Sequence, residues 1–175
     1  MTKFINLFGG PGIGKSTTAA GVFYKLKSLG YNVELVPEFA KDLVWESRLE
    51  TLQNQFYVTA RQFHMISKLA DKADIVVTDS PILLGSIYAP KDYPQCYHET
   101  IKFFFDTIQT PGLNFMLSRH KAFVQSGRVH TYDESTALDA KIARLAENNG
   151  VHLRYIGIES VSEIISIFEN SHAND

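Results

Sequence analysis

The sequence has a single cysteine, Cys96, and no excess of charge of either sign. One cysteine excludes an internal disulfide framework and a thiolate zinc cluster within one chain, and it suits a reducing compartment. The 17 Lys and Arg residues against 19 Asp and Glu residues give a formal net charge of −2. Strong nonspecific binding of nucleic acid through bulk charge is therefore disfavoured, although a local basic groove stays open.

Long apolar runs are also absent. No stretch approaches the roughly 20 apolar residues that a membrane helix needs, so we expect no membrane partner. The apolar run at residues 4–8 is too short for the core of a signal peptide, and glycines follow it. We therefore expect a protein of the cytoplasm. The 175 residues contain no repeat, low-complexity block or linker, which predicts one domain over residues 1–175.

Short apolar runs alternate with longer stretches of helical periodicity. Five strand–helix alternations predict an α/β fold, with a parallel sheet and helices on both of its faces. The predicted strands are residues 4–8, 33–36, 75–78, 113–117 and 151–158. The predicted helices are residues 16–29, 41–48, 53–70, 81–88, 101–108, 138–145 and 161–168. Residues 89–97 are predicted to be a loop, and residues 119–132 have no clean period.

The segment after the first predicted strand fits the phosphate-binding pattern G-x-x-x-x-G-K-[ST] without a mismatch over residues 9–16. Glycines let the backbone wrap closely around an anion, and the N-terminus of the next helix adds a positive field. A chance glycine-rich turn is disfavoured because the motif lies between a predicted strand and a predicted helix. We expect Lys15 to reach the outer phosphates and Ser16 to ligate Mg²⁺. The predicted nucleotide-binding residues are Gly9, Gly10, Gly12, Ile13, Gly14, Lys15, Ser16 and Thr17.

Two carboxylates follow later strands, at the edge of the sheet where α/β proteins bind ligands. Asp79 ends the third predicted strand, which suits a residue that holds the metal through its water shell, and also an N-cap. Glu38 follows the second strand, where it would orient or deprotonate an acceptor hydroxyl, or serve as a first-turn glutamate. We expect Ser16 and Asp79 at the metal and Glu38 on the acceptor side.

The residue after Asp79 is Ser80 rather than the glutamate of many hydrolysing motors, and no N-K-x-D motif of guanine-binding switches occurs. A motor ATPase and a Ras-like GTPase are both disfavoured. Residues 119–132 carry several basic side chains in an irregular stretch. A closing loop with arginines would stabilise the charge that builds up in phosphoryl transfer and exclude water. Arg119 and Arg128 are the candidates, and an ordinary exposed basic loop is the alternative.

Together these segments resemble the small P-loop kinases, in particular the phage and bacterial group related to nicotinamide riboside kinases and to deoxynucleoside and thymidylate kinases. The resemblance rests on residues 9–17, Pro37-Glu38-Phe39-Ala40-Lys41, Thr78-Asp79-Ser80-Pro81 and the basic segment to Arg128. It implies a three-layer fold with parallel strand order 2-3-1-4-5, ATP with Mg²⁺ as the donor, and a lid over the donor phosphates. It also implies catalytic roles for Lys15, Glu38, Asp79, Arg119 and Arg128. Ser80 stands where those kinases usually have an arginine.

The resulting prediction is an ATP-dependent phosphotransferase whose acceptor is a nucleoside, a nucleotide or a related small hydroxyl compound. One alternative is a kinase of hydroxymethylated bases in DNA, as in phage DNA hypermodification. Another is an NTPase that binds nucleotide without a phosphoryl acceptor. Nucleic acid is expected only as a substrate, a homodimer stays open, and the compartment is the host cytoplasm if the protein is phage-encoded.

Overall fold

The computed structural model describes residues 1–119, 130–157 and 160–172. Within these ranges five strands form one sheet, in the order β2-β3-β1-β4-β5, and every neighbouring pair is parallel. The strands are β1 (Lys3–Phe8), β2 (Val33–Val36), β3 (Ile75–Thr78), β4 (Gly112–Leu117) and β5 (Arg154–Ile156). The predicted fold class and strand order are confirmed.

Helices cover both faces of the sheet, as predicted. They are α1 (Lys15–Ser28), α2 (Phe39–Trp45), α3 (Leu49–Gln53), α4 (Gln55–Ser67), α5 (Gly85–Tyr88), α6 (Gln95–Ile108), α7 (Tyr132–Asn148) and α8 (Ser160–His172). A 3-10 turn at Ile82–Leu84 precedes α5. Alternate residues of β1 point to opposite faces of the sheet. Ile5 and Leu7 belong to one buried cluster with residues of α1 and α8, and Phe4 and Phe8 belong to another with residues of α4, α6 and α7.

Several predicted boundaries are wrong for local reasons. The helix predicted over residues 53–70 begins at Gln55, because the Asn54 side chain caps α4 by accepting from the Tyr57 N–H at 3.1 Å, and the short helix α3 just before it was not predicted. The predicted loop 89–97 ends earlier, since Pro94 serves as the N-cap of α6. β5 is shorter than predicted, because the Val151 N–H is used to close α7, donating to the Ala146 carbonyl at 2.8 Å. None of these shifts moves Lys15, Glu38 or Asp79.

A chain of buried amides joins the central strand to the turn that follows β3. Asn6 donates to Asn114 Oδ1 at 2.9 Å and accepts from Gln109 Nε2 at 2.6 Å. Gln109 in turn accepts from the Ile82 N–H at 2.8 Å. Because Asn6 and Gln109 are fully buried, leaving any of these groups unpaired would destabilise the fold. The network fixes the segment beyond Asp79 relative to β1, which leads into the glycine-rich loop.

No helix in the described ranges combines the length and the apolar character that a membrane-spanning helix requires.

Candidate functional site

The glycine-rich segment forms a tight loop between β1 and α1. Gly9, Gly12 and Gly14 have φ angles of 139°, 78° and 109°, in the left-handed region that favours glycine. A Cβ on Gly9 would also lie 2.9 Å from the side chain of Ile13, which is buried. Gly14 is the N-cap of α1 and carries no side-chain acceptor, so the first N–H groups of the helix are left for a ligand.

Lys15 begins α1 and is folded back onto the loop. Its Nζ donates to the carbonyl oxygens of Gly9 at 2.7 Å and Gly10 at 3.1 Å, and the residue is only 8% exposed. Burial lowers the pKa of Lys15, and the negative charges of Glu38, Asp79 and Asp139 act in the opposite direction. The ammonium group is therefore held within electrostatic reach of three carboxylates.

Asp79 follows β3 and is 2% exposed. Its Oδ1 is buried and has no hydrogen-bond partner among the described residues, which is costly for a carboxylate unless a cation compensates it. The N-cap of the following 3-10 turn is Pro81, so Asp79 does not fill the alternative role of an N-cap.

The donor set next to the loop suits a hard cation. The described residues contain no group of three or more His, Cys, Asp or Glu that could hold a metal ion. Ser16 is exposed at the wall of the cavity above the loop. A serine hydroxyl and a buried carboxylate are oxygen donors of the kind that Mg²⁺ takes when waters and phosphates complete its shell. Ser16 and Asp79 therefore fit a hydrated Mg²⁺ ion.

A cavity with a volume of about 730 Å³ extends from the loop to the helices that follow β2 and β3. At one end it is lined by Pro11, Gly12 and residues 14–17. At the other end the walls come from α2, α3, α4 and α5 and include the apolar side chains of Val44, Leu52 and Val58. One continuous space therefore reaches from the anion-binding loop to a mostly apolar chamber.

Glu38 lies in this chamber as the N-cap residue of α2, one position before the first turn, and forms no side-chain cap hydrogen bond. Its charge acts on Lys15 and also on Tyr88, a lining residue of α5. Burial raises the pKa of Tyr88, and the charges of Glu38 and Asp139 raise it further, so the phenol stays neutral. The carboxylate of Glu38 and the neutral phenol of Tyr88 therefore both border the chamber.

Gln62 of α4 fixes the backbone on both sides of Glu38, and sequence reasoning missed it. Its Oε1 accepts from the Phe39 N–H at 3.0 Å, and its Nε2 donates to the Pro37 carbonyl at 3.3 Å. The residue is 5% exposed and lies on the buried face of α4 together with Val58 and Ile66. A polar residue within an apolar stripe was the signal that could have identified it.

Arg119 follows β4 and lies beside the loop, but its guanidinium is directed at protein acceptors. Nε donates to Asp139 Oδ2 at 2.5 Å and Nη2 to Asp139 Oδ1 at 3.2 Å. Nη2 also donates to the Ser135 carbonyl at 2.8 Å, and Nη1 donates to the Pro11 carbonyl at 3.1 Å. Sequence reasoning missed Asp139 because it lies within α7, without a motif. Arg128, the second predicted lid arginine, lies outside the described residues.

The chain matches a known family in sequence. The model of a family described as AAA domain matches residues 4–163. No curated protein matches the chain in sequence.

Three solved structures share the fold. Deoxyadenosine kinase from M. mycoides with bound dATP is similar with a TM-score of 0.56 at 16% identity, over 97% of this chain and 99% of that one. Deoxyadenosine kinase from M. mycoides with the products dCMP and a flexible dCDP is similar with a TM-score of 0.55 at 16% identity, over 98% of each chain. Shikimate kinase from Bacteroides thetaiotaomicron is similar with a TM-score of 0.50 at 16% identity, over 95% of this chain and 98% of that one. At such identities the likeness shows the fold alone.

Proposed function

The chain belongs to the AAA domain family, and from that premise we propose that it is an ATP-dependent phosphotransferase for a small hydroxyl acceptor. The observation that carries the proposal is the single cavity that joins the P-loop lysine to Glu38 and Tyr88. A hydrolysing NTPase also uses a carboxylate, to activate water, but it has no need of a partly apolar chamber beside that carboxylate. Phosphoryl transfer needs both, because its catalysis consists of positioning and electrostatic stabilisation.

On the donor side, the loop amides and the N-terminus of α1 bind the phosphates of ATP. Lys15 Nζ exchanges its carbonyl acceptors on Gly9 and Gly10 for phosphate oxygens, and Thr17 adds a contact at the cavity wall. Ser16 and Asp79 would hold Mg²⁺, which when bound would supply positive charge that offsets the negative charge of the phosphates. The Oδ1 atom of Asp79, which accepts no hydrogen bond from the described residues, supports this assignment.

On the acceptor side, Glu38 orients the acceptor hydroxyl and takes its proton as the oxygen attacks the γ-phosphorus. The bond between the γ-phosphorus and the bridging oxygen breaks, and ADP leaves. Tyr88 remains neutral and offers a hydroxyl that donates or accepts without adding charge. Gln62 supports the geometry by fixing the backbone before and after Glu38.

The shape of the chamber favours an acceptor that carries a ring. Val44, Leu52 and Val58 offer apolar walls, and Gln55 and Thr59 add polar groups beside them. Binding sites for small molecules usually combine apolar walls with a few polar groups that set orientation. A nucleoside or nucleotide has this mixture of a flat ring and hydroxyls, and we propose this class of acceptor for the chain. Two of the kinases that share the fold are named for different acceptors, deoxyadenosine and shikimate, so the fold alone does not determine the acceptor.

The experiment is a transfer assay with γ-labelled ATP and Mg²⁺. The panel contains nucleosides, nucleotides, nicotinamide riboside, shikimate and duplex DNA with hydroxymethylated bases. We expect label on a nucleoside or nucleotide, with transfer dependent on that acceptor. Label on the DNA alone would instead support the base-modifying kinase. Release of labelled phosphate at one rate with every acceptor, or with none, would contradict the proposal.

A further inference from the structure

The first half of the P-loop is held by a helix far from it in the chain. The Gly10 N–H donates to Asp139 Oδ1 of α7 at 2.6 Å, across a separation of 129 residues. Charge-assisted hydrogen bonds are shorter and stronger than neutral ones. Asp139 therefore fixes the position of the peptide that joins Gly9 to Gly10.

Glycine at position 10 is explained by this contact rather than by the phosphate-binding motif. The motif accepts any residue there, and Gly10 does not adopt a positive φ. A Cβ on Gly10 would collide with the Ser135 carbonyl and would lie 2.8 Å from both Arg119 Nη2 and Asp139 Oδ1. The loop can approach α7 this closely only because residue 10 has no side chain.

Arg119 completes the attachment from the end of β4. It binds both carboxylate oxygens of Asp139, the Ser135 carbonyl on α7 and the Pro11 carbonyl in the loop. The side chains of Arg119 and Asp139 are 14% and 19% exposed, so this ion pair is shielded from water more than a surface pair is. We call Gly10, Pro11, Arg119, Ser135 and Asp139 the P-loop clamp.

Arg119 and Asp139 of the P-loop clamp lie outside the cavity, and Gly10 connects Asp139 to Lys15. Among the described residues that line the cavity, neither Arg119 nor Asp139 is included. Gly10 nevertheless links the two, because its N–H is bound by Asp139 while its carbonyl accepts from Lys15 Nζ. A displacement of Gly10 would move an acceptor of the lysine and the loop that surrounds the phosphates.

We propose that Asp139 is a positioning residue that preforms the P-loop for the triphosphate, and that Arg119 supports it in this role. The inference rests on the proposed function for its effect on ATP, whereas the contact itself can be measured in the free protein. A preorganised loop loses less conformational freedom when a ligand binds. Removing the contact between Asp139 and Gly10 should therefore weaken ATP binding and leave acceptor binding unchanged.

The contact is tested by NMR of the free protein. The short bond to a carboxylate predicts a Gly10 amide proton that resonates downfield and exchanges slowly with solvent. In Asp139→Ala we expect that resonance to move upfield and to exchange faster. Asp133→Asn, an acidic residue at the exposed start of the same helix, is the matched control and should leave Gly10 unchanged. An unchanged Gly10 amide in Asp139→Ala would overturn the inference.

The consequence is tested by titration with a non-hydrolysable ATP analogue and by steady-state kinetics. In Asp139→Ala we expect the Kd of the analogue and the KM of ATP to rise about tenfold, as for the loss of a charged hydrogen bond. The KM of the acceptor should stay at its wild-type value. Gly10→Ala should reproduce this pattern. The double variant should bind ATP no more weakly than the single variant with the lower ATP affinity, because both changes release the same contact.

Each remaining outcome separates the inference from the proposed function. Wild-type affinity in Asp139→Ala, or an equal loss for ATP and acceptor, would overturn the positioning role while the proposed function stands. A wild-type protein that binds the analogue but phosphorylates no acceptor would remove the proposed function and leave the P-loop clamp measurable. If Asp139→Ala does not fold, Asp139→Leu decides, because it keeps a side chain of similar size and has no acceptor for the Gly10 N–H. Unchanged ATP affinity in that variant would also overturn the inference.

Discussion

The phosphate side of the cavity is built from one unbroken segment of backbone, whereas the acceptor side gathers side chains from four helices. Residues 9–17 take their shape from glycine φ angles and offer main-chain N–H groups. The acceptor side depends on residues from Glu38 to Tyr88 that meet only in the folded chain. A backbone site admits few changes, while a side-chain site can be altered one substitution at a time. We therefore expect donor binding to be the fixed property of this molecule and acceptor choice to be the adjustable one.

The two sides also differ in charge. The phosphate side holds a buried ammonium group whose pKa is lowered by burial, and the acceptor side holds a carboxylate and a neutral phenol. A variant that changes the constants for ATP and for the acceptor together would contradict this difference between the two sides. A variant that changes the constants for only one substrate would support it.

The largest effect is expected for Lys15→Ala, on the phosphate side. Removing the charge that meets the transferring phosphate should lower turnover by about 10³-fold. The fold should persist, because the variant removes a buried ammonium group whose desolvation opposes folding. Transfer rates and thermal unfolding measure the two effects. Lys25→Ala, an exposed lysine on the same helix, is the control and should retain wild-type turnover. Normal turnover by Lys15→Ala would contradict the assignment.

The same variant has a pH signature. Because the pKa of Lys15 in the folded protein is lowered from 10.5, the unfolded chain binds more protons just below that value. The contribution of Lys15 therefore makes stability rise as the pH increases through this interval. The difference in unfolding free energy between wild type and Lys15→Ala should show that rise, and a flat difference would contradict the buried, charged lysine.

Glu38→Gln is expected to lower turnover by about 10²-fold through loss of the acceptor base. The Kd of ATP should remain close to the wild-type value, because the change lies on the acceptor side. Turnover and calorimetric ATP binding measured on one preparation test this division. Glu50→Gln, an exposed glutamate of α3, provides the control. A matching loss of ATP affinity in Glu38→Gln would show that the two sides are not separate.

Asp79→Asn is expected to raise the Mg²⁺ concentration needed for half-maximal transfer by about 10- to 100-fold, as for residues that hold a metal through its water shell. A Mg²⁺ titration of the transfer rate measures this. Asp74→Asn, an exposed residue just before the opposite end of β3, should behave as the wild type. An unchanged Mg²⁺ requirement in Asp79→Asn would remove Asp79 from the metal site.

The smallest effect is expected for Tyr88→Phe. The phenol is neutral and contributes at most one hydrogen bond to an acceptor, so its loss should raise the KM of the acceptor by less than about tenfold. The KM of ATP should not change. Steady-state kinetics with each substrate varied in turn measure both constants. A rise in the KM of ATP alone would move Tyr88 to the phosphate side.

The strand, loop and helix of the phosphate side could be predicted from the sequence because their residues are neighbours in the chain. Lys15 and the loop glycines are recognised by spacing alone, and the strand order followed from the resemblance. Gln62 and Asp139 were missed because their partners Phe39 and Gly10 lie 23 and 129 residues away. The exact start of α4 was missed because it depends on one side-chain contact, the cap that Asn54 provides. Spacing reports local geometry, and these residues act through tertiary contacts that spacing does not report.

The most direct test of the account is a calorimetric titration of the wild-type protein and of Lys15→Ala with Mg²⁺ and a non-hydrolysable ATP analogue. The account predicts one site per chain for the wild type and at least about tenfold weaker binding for the variant. Equal binding by both proteins, or no binding by the wild type, would contradict it.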